Sequence, residues 1–382
     1  MLQVSELRLR GEVLGRDALP SLVPAWEALS SRVLEDNVYY SPRYARALIN
    51  NIERDVSLRF AAVWQRETLV ALLPFTRATF EAPMLGTAAR AWQTDYTFNC
   101  MPLVDRTCAP KASLALIELL STINEGEWII PAVNRTGPAC LALINALEQD
   151  DRPWHSVNTF QRAMLETGDS FDGHMQTHLS SNRRRGLARN RRRLEEIGAV
   201  VHESFCSGEG LACAVQEFLA IESRGWKGER GTALACRPET KRFALDAFTG
   251  SATDSICRAD VLKLNGTPIA VILTTFAGTT GFTVKCAYDE AYRSYSAGLL
   301  LEVEVLRSFF SDRWANRLDA GTAGTHVIDG LWPGRLEVTD LIFSLSTRLA
   351  RQRLSVLARA MHARQAVRDA VKPLVERLRR PR

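Results

Sequence analysis

The segment VKCAYDEAYRSYSAGLLLEVEVL, residues 284–306, holds the residue types best suited to chemistry. A strand pattern ends near Tyr288. A polar loop follows, and Ser296-Ala297-Gly298 lead into an apolar helical pattern. The first amides of a helix have no intrahelical acceptor, and the helix dipole adds positive potential there, so such a start attracts an anion. Gly298 lacks the Cβ that would hold a phosphate away from the backbone. The next strand pattern, 315–321, must be reached by a crossover. Beyond the carboxyl end of the first strand is the usual place for a ligand in such a unit. The same residues also describe an ordinary capped helix, and spacing alone leaves both readings open.

A second candidate is SNRRRGLARNRRRLEEIG, residues 181–198, in which seven of eighteen residues are arginine. Net charge is only +5, yet residues 348–382 carry +9 and residues 183–193 carry +7, so the remainder is acidic at −11. Positive charge in two segments suits a phosphate, an anionic membrane or nucleic acid. No aromatic platform accompanies the arginines, which places nucleic acid last. Eight cysteines show neither a C-x-x-C pair nor zinc spacing, so reduced thiols and no metal are expected. The start of the chain lacks an apolar signal core, and no window reaches eighteen uninterrupted apolar residues. A cytoplasmic protein is expected, with peripheral contact to the inner membrane surface as a second possibility.

These segments must be positioned by a mixed α+β scaffold. Residues 19–51 read as helical, with Pro42 opening a second helix through Ile49. Strands are expected at 58–64 and 69–76 around a polar turn, then at 96–105 and 127–133, with a helix over 110–123 between the last two. The second half repeats this β-β-β-α-β order. Asn265-Gly266 marks a tight hairpin, 281–288 is the third strand, 297–310 the helix and 315–321 the last strand. Two tandem lobes of one fold explain the repeat. The expected division is 1–155, 156–347 and a basic amphipathic helical tail at 348–382, kinked at Pro373. Leu187, Leu194 and Ile197 lie on one side of the arginine helix, which Ser180, Ser181 or Asn182 caps and Gly198 ends. A further helix over 209–224 runs into a Gly-rich loop whose Trp226 reads as buried.

The motifs together resemble the GNAT acyl-CoA acyltransferases, in the branch near FemAB-like and CelD-type cellulose-biosynthesis proteins. Tyr288, Asp289, Glu290, Tyr292, Tyr295, Ser296, Gly298, Leu299 and Leu300 are similar to a YDE-x-Y-x-x-YSPG-x-LL pattern, with Ala297 where the family has proline. ESRGWKGERGTAL (222–234), the arginine helix and DAGTAGTHVIDGLW (319–332) resemble further family motifs, as do LVALLPF (69–75) and YTFNCMPLVD (96–105). The resemblance extends to about residue 347. It implies two GNAT-like lobes, the first degenerate, since Pro110 and Lys111 stand where a glycine is needed. It also implies acyl-CoA, acetyl or long-chain, as co-substrate of the second lobe, with its pyrophosphate at Tyr295, Ser296, Ala297, Gly298, Leu299 and Leu300.

Direct attack of an amine on a thioester needs a base, oxyanion stabilisation and room for the thiolate. The base candidates are His326, Asp289, Glu302 and Asp329, with His326 first because imidazole titrates near neutrality. Tyr288 could donate to the thiolate or oxyanion, or be structural. Asp319 and Asp329 could orient a cationic substrate, or cap helices. Glu222, Trp226, Lys227 and Lys285 are assigned to the substrate wall, with core anchoring as the other reading of Trp226 and a solvated strand face as that of Lys285. The acceptor is an amine. It belongs to a cell-envelope glycan or, in the alternative, to a lipid N-acylated at the inner membrane surface, as a bacterial ceramide synthase would do, with 348–382 on anionic lipid. A FemAB-type transfer from aminoacyl-tRNA is the third reading, although the long coiled-coil insertion of that family is absent.

Overall fold

A computed structural model describes residues 9–55, 57–79, 87–124, 126–168, 170–322, 327–346 and 350–378. The first elements are β1 (Leu9–Gly15), α1 (Leu19–Ser30), α2 (Pro42–Asn51), β2 (Arg59–Gln65), β3 (Thr68–Thr79), β4 (Thr87–Ala91) and β5 (Leu103–Val104). Then come α3 (Ala109–Ile123), β6 (Glu127–Asn134), α4 (Pro138–Gln149), β7 (Trp154–Glu166), α5 (Phe171–His178), α6 (Ser181–Glu195) and β8 (Val200–Phe205). They are followed by α7 (Gly208–Arg224), α8 (Trp226–Glu229), α9 (Pro238–Phe248), β9 (Cys257–Leu264), β10 (Thr267–Ala277) and β11 (Thr280–Tyr288). The chain closes with α10 (Ala297–Asp312), β12 (Arg317–Asp319), β13 (Gly334–Ser344) and α11 (Ala350–Leu378). The chain divides into two compact units, one of residues 1–40, 55–160 and 337–382, the other of 41–54 and 161–336.

In the first unit the strands lie in the order β1-β2-β3-β4-β6-β13, with β5 added to β3. The β4–β6 pair is parallel, at Ala89↔Trp128 and Arg90↔Ile129. The third strand is therefore β4. The expected strand at 96–105 reduces to Leu103–Val104, and the rest of that segment is a loop held by polar side chains. Asn99 accepts the Met101 amide at 2.9 Å, and Asp105 accepts the Thr107 amide at 2.9 Å. β4 was missed because Thr-Ala-Ala-Arg-Ala has little β-branched or aromatic content. On α11, Leu354, Leu357 and Ala358 are buried against Ile129, Val157 and Ile342, so the start of the tail is a docked helix. It continues as helix past Pro373 to Leu378.

In the second unit, residues 161–166 of β7 start the order β7-β12-β11-β10-β9-β8. Asn265 and Gly266 close the β9–β10 hairpin with φ of 50° and 80°, as a tight turn with two left-handed residues requires. β10 is buried from Ile269 to Thr275 on consecutive residues, the pattern of a strand covered on both faces. α7 and α10 both pack against it. α10 also makes the crossover between the parallel strands β11 and β12. α2, although early in sequence, belongs to this unit. Tyr44 packs its ring 5.5 Å from Phe243 and 6.2 Å from Phe248, and Arg43 pairs with Asp254 at 2.6 Å.

Candidate active site

Among the described residues, β11 and β12 pair at Thr280↔Arg317, Gly281↔Leu318 and Phe282↔Asp319, where β12 ends. From Thr283 to Tyr288, β11 keeps its ladder to β10 on one edge, while Ala320, Thr322 and Ile328 stand across a cavity from it. The cavity measures about 530 Å³. The β10 ladder carries one irregularity: Leu273 faces Lys285 and Thr274 faces Thr283, so Val284 is an extra residue on β11. Such a bulge bends a strand and leaves backbone groups outside the ladder.

α10 starts at this cavity. A short 3₁₀ turn, Glu290–Tyr295, ends in Ser296, which takes the left-handed conformation at φ 58° and ψ 46°. Asn190 of α6 donates to Ser296 Oγ at 3.3 Å. The amides of Leu299 and Leu300 both bond the Ser296 carbonyl, at 2.9 and 3.0 Å. The amides of Ala297 and Gly298 find no acceptor among the described residues. An anion at this start would thus meet two amides, not a longer run. A Cβ on Gly298 would lie 3.2 Å from the Tyr288 ring and 3.4 Å from Cys286 Sγ, so glycine keeps α10 close to β11.

Two carboxyl groups in the cavity wall have opposite surroundings. Glu222 Oε1 lies 2.9 Å from Lys285 Nζ and 3.4 Å from Lys227 Nζ, and its Oε2 accepts the Leu234 amide at 2.8 Å. Lys227 also donates to the Cys286 carbonyl at 3.1 Å. Glu302, on α10 and 7% exposed, faces no cation within ion-pair distance among the described residues. Its Oε1 accepts from Trp332 Nε1 at 3.1 Å. Burial pushes the Glu302 carboxyl up to about 8; the Trp332 donor opposes this and the Asp260 charge adds to it. Burial likewise pushes the Cys286 thiol up to about 12, which keeps it a neutral thiol and a poor nucleophile. A site with a carboxyl tuned near neutrality, free helix-start amides and no activated thiol suits proton removal and direct group transfer.

Residues 181–326 match the acetyltransferase (GNAT) domain family. The second unit carries a GNAT-type acyltransferase domain. No curated protein sequence matches the chain. Among solved structures, the chain is similar to the C-terminal domain of a protein described as a lysylphosphatidylglycerol synthetase from Agrobacterium fabrum. The TM-score is 0.54 and identity 10%, over 90% of this chain and 96% of that one. It is similar to a protein of unknown function from Bacteroides thetaiotaomicron (TM-score 0.53, 11% identity, 85% and 97% covered) and to FemX (0.53, 10%, 88% and 98%). At these identities the likeness concerns the fold.

Around the cavity of the GNAT domain the structure gathers Glu222, Trp226, Lys227, Lys285, Tyr288, Ser296, Gly298, Leu299 and Glu302. Trp226 is 44% exposed rather than buried, because its amide is held by Glu290 at 2.8 Å and its ring stacks under Arg230. Leu300 faces the core, and Tyr295 lies under the Arg193 guanidinium at 5.1 Å. Asp289 does not line the cavity; it caps the 3₁₀ turn through the Ala291 amide at 3.0 Å. Asp319 is buried in an ion pair with Arg162 at 3.2 Å and also accepts the Gly321 amide. Asp329 lies in the short turn Val327–Gly330, and its carbonyl accepts from Arg335. His326 lies outside the described residues. Cavity residues that the sequence did not single out include Cys286 and Arg293, and their neighbours in the YDE-containing stretch were the only available signal.

The arginine helix serves several ends. Arg191 pairs with Glu195 at 2.7 Å and Glu304 at 2.9 Å, and Arg184 donates to the Met175 carbonyl at 3.2 Å. Arg183 packs directly on Gly330, where any Cβ would fall 1.8 Å from its guanidinium. Arg189 and Arg192 are exposed and have no ionic partner among the described residues.

Proposed function

We propose that the second unit transfers an acyl group, acetyl first among the candidates, from acyl-CoA to an amine, with Glu302 as general base. The observation that carries this reading is a buried, upshifted carboxyl in the wall of the cavity that opens where β11 and β12 part. On this reading the amides of Ala297 and Gly298 receive the pyrophosphate, and the free edge of β11 receives the amide-bearing arm of the coenzyme. Ionised Glu302 takes a proton from the attacking amine while Trp332 holds its other oxygen in place. Nitrogen adds to the thioester carbonyl, the C–S bond breaks and the thiolate leaves, with Tyr288 as the candidate proton donor. No acyl-enzyme is needed, in keeping with the neutral Cys286.

The acceptor in this reading is an amine of a cell-envelope glycan or its precursor, in line with the CelD-type resemblance, and residues 1–155 form a supporting lobe. A lipid acceptor at a membrane surface is the second reading. It is favoured by α11, where Val356, Val367 and Val371 are 59, 63 and 45% exposed among arginines. Thermal-shift and calorimetric titration with acetyl-CoA, palmitoyl-CoA, free CoA and aminoacyl-tRNA ranks the donors. Stabilisation by acetyl-CoA is expected, and absence of binding by every CoA species would remove the reading.

A further inference from the structure

Lys227, Lys285 and Arg293 bring three cationic side chains to the cavity, and Glu222, Glu290 and Glu302 bring three carboxyl groups. The carboxyls do not neutralise the cations one for one. Glu302 is held largely protonated at neutral pH by its burial. Glu290 is engaged with the Trp226 amide. Glu222 sits between two ammonium groups, Lys285 at 2.9 Å and Lys227 at 3.4 Å, both on the same oxygen Oε1. A buried carboxylate needs one cation for balance, and bringing a second out of bulk water adds a desolvation cost with no charge to offset it. Besides Glu222, Lys227 meets two neutral groups, the Cys286 carbonyl at 3.1 Å and the Trp226 ring at 5.9 Å. Lys227 stands on α8 and Lys285 on β11, and both reach Glu222 of α7.

We propose that Lys227 and Lys285 together receive an anionic group, a carboxylate or a phosphate monoester, carried by the amine acceptor near its nucleophilic nitrogen. Glu222 holds the two ammonium groups side by side, as a clamp for a second anion on their far side. The assignment rests on the acyl-transfer reading of the cavity and narrows its acceptor to amines that bear negative charge.

The test uses the full chain, acetyl-CoA and matched acceptor pairs, with thiol release as readout. The pairs are glucosamine against glucosamine 6-phosphate, ethanolamine against phosphoethanolamine, and ethylamine against glycine. The anionic member of at least one pair is expected to have a KM about tenfold lower or better, the scale of one charge-assisted hydrogen bond. The last two pairs separate phosphate from carboxylate. Lys285→Gln leaves Glu222 with Lys227 and the Leu234 amide, so no carboxylate is stranded. It should narrow the KM ratio between the neutral and the anionic acceptor about tenfold, with a smaller effect on the calorimetric affinity for CoA. Lys227→Gln should do the same. Equal KM within every pair overturns the inference and leaves acyl transfer standing. An equal fall in kcat for neutral and anionic acceptors also overturns it, since the lysines would then serve the oxyanion. Thiol release with no amine at all overturns the acyl-transfer reading itself.

Discussion

Replacing Glu302 by Gln tests the base and its tuning in one variant. The folded chain keeps the Glu302 proton up to a pH of about 8, whereas an unburied carboxyl releases it near 4.5. Between those values the folded state binds more protons than the unfolded state, so this group makes stability fall as pH rises through that window. Below 4.5 both states are protonated and the contribution vanishes. At about 1.36 kcal/mol per pH unit the penalty is about 3 kcal/mol at pH 7 and about 5 kcal/mol at pH 9. Glutamine keeps the shape, stays neutral and still accepts from Trp332 Nε1. The variant should therefore match the parent in urea denaturation at pH 4.5 and exceed it by about those amounts at pH 7 and 9. Its acetyl-transfer rate should fall by about 10²–10⁴, the usual scale for loss of a general base. The parent's kcat/KM should rise about tenfold per pH unit and level off near 8, as ionisation of one group requires, and this inflection should be missing from the variant. A stability difference independent of pH would refute the buried, upshifted carboxyl. A rate unchanged by the substitution would refute its role as base.

Three further outcomes follow from the same geometry. Gly298→Val places a branched side chain against Tyr288 and Cys286; calorimetry should show CoA affinity lowered about tenfold or more. Arg162→Leu leaves Asp319 buried with the Gly321 amide but without its cation, and chemical denaturation should report a loss of about 3–5 kcal/mol. Val367→Asp with Val371→Asp puts two carboxylates on the exposed face of α11. Flotation with anionic vesicles should be abolished if α11 meets lipid, and flotation equal to that of the parent would exclude these valines from the contact.

How much of this was legible depends on how local each signal is. Asn265-Gly266 fixed its hairpin because two adjacent residues suffice to set a left-handed turn. The Ser296–Gly298 helix start was equally readable. The sequence was silent where a feature depends on a distant partner. The third strand of the first unit, Thr87–Ala91, has no strand-like composition and exists because β3 and β6 flank it. α2 was recognised as a helix, yet nothing local announced that Tyr44 would pack on Phe243 and Phe248, two hundred residues away. Trp226 was misread because tryptophan is usually inside, whereas here Glu290 holds the backbone of its turn and leaves the ring at the cavity.

The candidate base shows the same limit in its sharpest form. Glu302 stood among four acidic or imidazole groups of the right type, and side-chain chemistry alone favoured His326. What sets Glu302 apart is not its identity but its surroundings: α10 turns it inward, Trp332 fixes one oxygen, and Lys227 and Lys285 are drawn to Glu222. The two carboxyls are thereby divided in function. Glu222 collects both ammonium groups, and Glu302, with no cation in ion-pair reach among the described residues, holds its proton until near neutrality. An Ala substitution at Glu222 would leave both lysines without their shared carboxylate, and a downward move of the rate inflection would show that they turn to Glu302. On this account, the pH at which the rate inflects reports which carboxyl the lysines occupy.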